Sequence, residues 1–219
     1  MTTYFIILFT FLVIYIGYAF YAKNKRLKLA HEISSIDLKP EFANAEQYKS
    51  SMLNGDLYHL KKAMKENPID AFTFAGIEYN TSDYVKDAAK NKLKELATLG
   101  TVRFNTVQTP KYLVISGNNM HLLDTNTDNE IDHDYVFDKE HLENSTLEEL
   151  PMERKIKAQA QIYGDSVKAY RLTLQTDKKP VELIIYSSLI FNNLPETSTS
   201  IKQVIKDNVV ANDFLKKLG

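Results

Sequence analysis

The sequence predicts an α+β protein behind a single N-terminal transmembrane helix. Three observations carry that prediction. An uncharged apolar run opens the chain, helical periodicity punctuated by Pro and Gly follows it, and from Thr101 short β-branched and aromatic segments lead to one last helical stretch. Helices, then a strand block, then a closing helix is the order of α+β proteins and not of alternating α/β ones. The chain divides into an anchor (1–22), a juxtamembrane helix or linker (23–40), a helical segment (41–100) and an antiparallel β domain with its C-terminal helix (101–219).

The anchor is "YFIILFTFLVIYIGYAFYA", Tyr4 to Ala22, without a charged residue. As a helix these nineteen residues span roughly 29 Å, close to the hydrocarbon thickness of a bilayer. Only Met1, Thr2 and Thr3 precede the run and "YAFYA" is too bulky for a cleavage site, so the segment reads as an uncleaved anchor and not a secretory signal. Tyr15, Tyr18 and Tyr21 crowd its carboxyl end, where amphipathic rings suit the headgroup layer. Lys23, Lys25, Arg26 and Lys28 follow at once, and the positive-inside rule places them at the cytoplasmic membrane surface with the rest of the chain behind them. The expected location is the inner (plasma) membrane of a bacterium, single-pass, with a cytoplasmic C-terminal domain.

Beyond the anchor, Leu29, Ile33 and Ile36 continue a helical spacing that Pro40 ends. Asn44 and Gln47 are placed as a capping pair for a second helix, with Tyr48 and Met52 on one face; after Gly55, Leu57, Leu60 and Met64 continue to Pro68. A third helix is expected over Ser82–Leu99, with Val85, Ala88, Ala89, Leu93, Leu96 and Leu99 on its apolar face and Gly100 after its end. Lys86, Lys90 and Lys94, one turn apart on another face, form a solvated surface that can meet lipid headgroups or a partner.

From Thr101 the period changes to that of strands: "TVRFNTV", "KYLVISG", "NMHLLDTN", "EIDHDYVF", "VKAYRLTLQT" and "VELIIYS". "SGNN", "DTNTDNE" and "TDKKP" read as turns between antiparallel hairpins. Ile201, Val204, Ile205, Val209 and Phe214 return to helical spacing, with Ser198 or Thr199 placed to cap the helix.

The order of these segments from Thr101 to Gly219, with "KYLVISGNNMHLLDTNTDNEIDHDYVF" as its hairpin pair, resembles a pleckstrin-homology-like small barrel. The resemblance implies a bent barrel plugged by its last helix and used to bind lipids or proteins. Phosphoinositide-binding members carry a basic loop between their first two strands; here "NTVQTPK" offers Lys111, with Arg103 nearby, so the resemblance points to protein binding before headgroup recognition.

The chemistry-bearing residues are sparse. Asp124, Asn126, Asp128, Glu130 and Asp132 occupy the odd positions of a calcium loop, but Asn129 replaces the turn glycine and Tyr135 stands where the bidentate glutamate belongs, so an acidic solvated turn is the favoured reading. His121, His133 and His141 with Asp132, Asp134 and Glu140 could ligate a metal, but a strand would put His133 on the face opposite Asp132 and Asp134 unless a bulge intervenes. "HEISS" from His31 lacks the second histidine of a zinc-protease helix. The absence of cysteine excludes disulfides and thiolate chemistry, and the seven scattered glycines exclude phosphate-cradling loops of the Walker or Rossmann kind. A net charge of -1 gives no footprint for nucleic acid. From Asp124 to Glu153 acidic residues face only Lys139, a patch suited to a basic protein partner. The expectation is a non-catalytic interaction or assembly subunit without cofactor, touching the bilayer, another membrane or cytoplasmic protein, or a second copy of itself. A lipid-headgroup module is the alternative, and a carboxylate- or metal-dependent hydrolase a more distant one.

Overall fold

A computed structural model of the chain describes residues 2–65, 67–76, 109–128, 130–151, 167–176, 179–190 and 200–219, with the side chains of 2–8, 22, 26, 29–30 and 33 left out. The helix expected over Ser82–Leu99 with Lys86, Lys90 and Lys94, and the strand expected at Thr101, lie outside the described residues.

Helix α1 runs unbroken over Thr2–Ser34, so the anchor and much of the juxtamembrane segment are one helix. It stops ahead of Pro40 because two serines turn on its last carbonyls: Ser34 Oγ donates to the His31 carbonyl at 2.9 Å and Ser35 Oγ to that of Glu32 at 2.7 Å. Pro40 instead opens a 3₁₀ turn, Pro40–Asn44, that feeds α2, Ala45–Leu53. The turn already supplies a partner, the Phe42 carbonyl, to the Ala45 N–H. Asn44 therefore does not act as the expected cap; its amide donates to Glu41 at 3.2 Å, and the Tyr48 hydroxyl donates to the same carboxylate. In α3, Tyr58–Met64, Leu60 and Met64 are buried as their spacing predicts, and Lys65 ends the helix with φ 53°.

Among the described residues seven strands form one antiparallel sheet in the order β4-β3-β2-β1-β7-β6-β5. They are β1 Ala71–Gly76, β2 Lys111–Ser116, β3 Asn119–Thr125, β4 Ile131–Phe137, β5 Thr146–Leu150, β6 Ala169–Leu174 and β7 Val181–Tyr186. A short helix α4, Lys139–Glu143, joins β4 to β5, and α5, Ile201–Leu218, closes the chain. Among the described residues the sheet is open, with β4 and β5 as its edges, so its hydrogen bonding there does not close into a barrel. It also begins earlier than Thr101: β1 lies within the segment read as helical. Phe72 and Phe74 alternate with Ala71, Thr73 and Ala75, but small apolar residues on the second face hide the strand from a polar–apolar pattern.

Two cores lie on opposite faces. Phe72, Tyr112, Val114 and Leu123 pack under Met52, Leu60, Met64 and Val210 of the helices. On the other face Leu113, Met120 and Leu122 share a core with Leu172, Leu174, Leu183 and Phe214. Strands β3 and β6 thus contribute to one core although β2, β1 and β7 separate them in the sheet. Helix α5 belongs to both cores, through Val210 and Ala211 on one side and Phe214 on the other. Its cap is Ser200, which accepts the Gln203 N–H at 3.2 Å, so the cap sits next to the expected Ser198 or Thr199.

The β2–β3 hairpin turns at Gly117, whose φ of +58° suits glycine. A Cβ there would meet nothing within 4 Å, so Gly117→Ala tests backbone strain alone. We expect a loss of about 1 kcal/mol, read as a lower urea midpoint with an unchanged slope.

Candidate functional site

The first candidate surface is α1 itself. From Phe9 to Tyr21 its large apolar side chains are 45 to 70% exposed, and at 100° per residue they look outward in every direction. A helix apolar all round is stable only inside a protein or a bilayer. Among the described residues no helix is long and apolar enough to cross a membrane. The described side chains of α1 begin at Phe9, however, and Lys23 follows fourteen positions later, whereas its backbone carries the whole uncharged run from Tyr4 to Ala22 as helix. Lys23, Lys25 and Lys28 are exposed just past that run; the Arg26 side chain lies outside the described residues.

The second is the acidic β3–β4 hairpin. Asn126 Oδ1 accepts the N–H groups of Asp128 at 2.9 Å and Glu130 at 3.0 Å, and the Asn126 N–H donates to the Glu130 carbonyl at 2.9 Å. The oxygen that a calcium ion would use thus closes the turn instead. Asp124 pairs with Lys111, its cross-strand neighbour, which also removes Lys111 as a free cation for a headgroup. The register shifts so that Asp124 faces His133 and Thr125 faces Ile131, leaving Asp132 as a bulged residue. That bulge brings Asp132 Oδ2 to 3.1 Å from His133 Nδ1. His121 meets Asp134 at 3.0 Å and His141 meets Asp138 at 2.7 Å. The three histidines are thus distributed over three separate aspartates, and no group of three potential ligands is gathered among the described residues.

Two polar clusters escape the sequence pattern. Lys49, buried in α2, donates to Glu46 at 2.8 Å and to the Asp70 carbonyl at 2.6 Å; Lys217 of α5 reaches the same two acceptors and Asp213. The cluster ties α2, the entry to β1 and the end of α5 together. On the other side of α5, burial pushes the Asp207 carboxyl up to about 7, against the pull of the Gln203 amide and Lys206. Its backbone carbonyl accepts the Leu189 N–H, and Asn212 donates to the Ser187 carbonyl at 2.8 Å, which fastens the segment after β7 to the helix. Burial also favours neutral His59, whose ring meets Tyr112 edge-on at 5.3 Å. These groups position elements of the fold.

The chain has no significant match to a protein-family model, to a curated protein or to a solved structure.

Proposed function

We propose that the chain is a non-catalytic interaction or assembly subunit, held by α1 in a bacterial inner membrane with its α+β domain in the cytoplasm. The observation that carries this reading is α1: an uncharged run, apolar in every described direction, followed at once by exposed Lys23, Lys25 and Lys28 and continuing as helix toward a folded domain. The strand order and the closing helix support a pleckstrin-homology-like domain in which the sheet curls around a shared core without closing. Pairing of Lys111 with Asp124 favours a protein ligand over a lipid headgroup.

The test uses a C-terminally tagged full chain. Alkaline carbonate leaves it in the membrane pellet, and deletion of residues 2–22 shifts it to the supernatant. Protease removes the tag in sealed inside-out vesicles; a protected tag there reverses the orientation. Gentle detergent extraction of the native-level protein yields a stoichiometric membrane or cytoplasmic partner. A protein that emerges alone defeats the stable-complex reading.

A further inference from the structure

We infer that the edge of β4 left unpaired among the described residues receives an extended, lysine- or arginine-bearing segment of a partner protein, which adds a strand to the sheet. This rests on the interaction reading above and names where the partner docks and what chemistry it presents.

The edge offers what strand addition requires. Strand β4 pairs only with β3 among the described residues, and its residues Asp132 to Val136 are all exposed. An edge strand presents a row of backbone donors and acceptors to any extended chain. Tyr135 is 49% and Val136 54% exposed, adjacent apolar groups on opposite faces of one strand. The Tyr135 ring stacks on His133 with centroids 5.8 Å apart, a flat aromatic surface. From Asp134 to Phe137 the register with β3 is regular, so this part of the edge is straight; the bulge at Asp132 confines addition to it.

Charge selects the occupant. Asp128, Glu130, Asp132, Asp134, Asp138 and Glu140 lie on or beside β4. Asp132, Asp134 and Asp138 each meet a histidine, whereas Lys139, the cation beside the strand, turns to Glu143 at 3.5 Å. The opposite edge differs: on β5, Glu149 pairs with Lys168 at 2.9 Å and Glu148 with Arg171 at 3.3 Å, so its carboxylates are answered within the sheet. A second copy pairing β4 with β4 would set acid against acid. A cationic strand would meet the carboxylates along β4 and the exposed ring of Tyr135, whose face also attracts cations.

The test uses the full chain in detergent micelles with three nine-residue peptides: alternating Lys–Val, alternating Glu–Val, and Lys–Pro, which has the charge of the first but cannot pair as a strand. Fluorescence anisotropy measures binding, and hydrogen exchange locates it. The expected result is binding of Lys–Val at least about tenfold tighter than of either other peptide, with slowed exchange in 131–137. Asp128→Lys with Asp132→Lys, which leaves the His121–Asp134 pair intact, weakens Lys–Val binding and strengthens Glu–Val. Equal binding of Lys–Pro, or protection outside β4, overturns the inference. If Lys–Val fails to bind while detergent extraction still yields a stoichiometric partner, the edge assignment falls and the assembly reading stands. If Lys–Val protects β4 although the chain extracts alone, the edge assignment stands and the stable complex falls.

Discussion

Phe214→Ala lowers the unfolding free energy by about 3–5 kcal/mol, a large part of the 5–15 kcal/mol that holds a typical domain together. Phe214 is fully buried and lies in the core shared by β2–β4 and β6–β7. Its loss leaves a cavity where the closing helix meets both halves of the sheet, and seven strands with rigid backbone pairing cannot collapse to fill it. Neighbouring Leu215 is half-buried and its replacement by alanine costs less. Denaturation followed by far-UV circular dichroism checks the difference, since the chain has no tryptophan to report it. A cost for Phe214→Ala no greater than for Leu215→Ala would remove α5 from its place as the element joining the two halves.

Asp207→Asn has the second large effect, in the opposite direction and dependent on pH. Burial raises the folded carboxyl from an ordinary value of 3.8 to about 7. Below about pH 4 the group is neutral in both states and costs nothing. As pH rises from there to 7 the unfolded chain releases its proton while the folded chain holds one, so stability falls by about 1.4 kcal/mol per pH unit. Asparagine stays neutral throughout and keeps the oxygen that accepts the Gln203 amide at 2.8 Å. The variant is therefore expected to exceed the parent by a few kcal/mol at pH 8 and to converge with it near pH 4. Equal stability of the two proteins at pH 8 would show that the folded carboxylate is not desolvated.

Much of the architecture was legible in the residues because one-sided burial leaves a period. Strands β2, β3, β4, β6 and β7 all fall in segments whose apolar residues alternate or cluster between turn signals, and Val204, Val209 and Phe214 mark the buried face of α5. Strand β1 was hidden because both its faces are covered, and β5 because "TLEEL" looks like neither strand nor core. Its glutamates are exposed and meet the cross-strand cations Lys168 and Arg171, a pairing that only the register reveals. The ends of α1 and the capping of α2 were misplaced because serine side chains and a 3₁₀ turn satisfied the backbone first.

The candidate surfaces were legible as composition but not as pairing. The acidity of the hairpin is plain in the sequence. That Asp134 meets His121, that the bulge turns Asp132 to His133, and that β4 is an edge all depend on register, which no local window contains. Lys217 of α5 reaches Glu46, already the i,i+3 partner of Lys49 within α2, a contact that only the tertiary fold creates.

The unbroken course of α1 sets a distance. Lys23 to Ser34 continue the helix for roughly 18 Å beyond the apolar run, a strut in place of a flexible tether. At physiological salt that exceeds two screening lengths of about 8 Å. With α1 seated in a bilayer as proposed, an acidic edge beyond such a strut would feel little repulsion from an anionic leaflet, and its negative charge would be felt instead by proteins in a thin shell above the membrane. Under that proposal the strut would turn a patch that lipid would reject into one that selects among neighbours by their height.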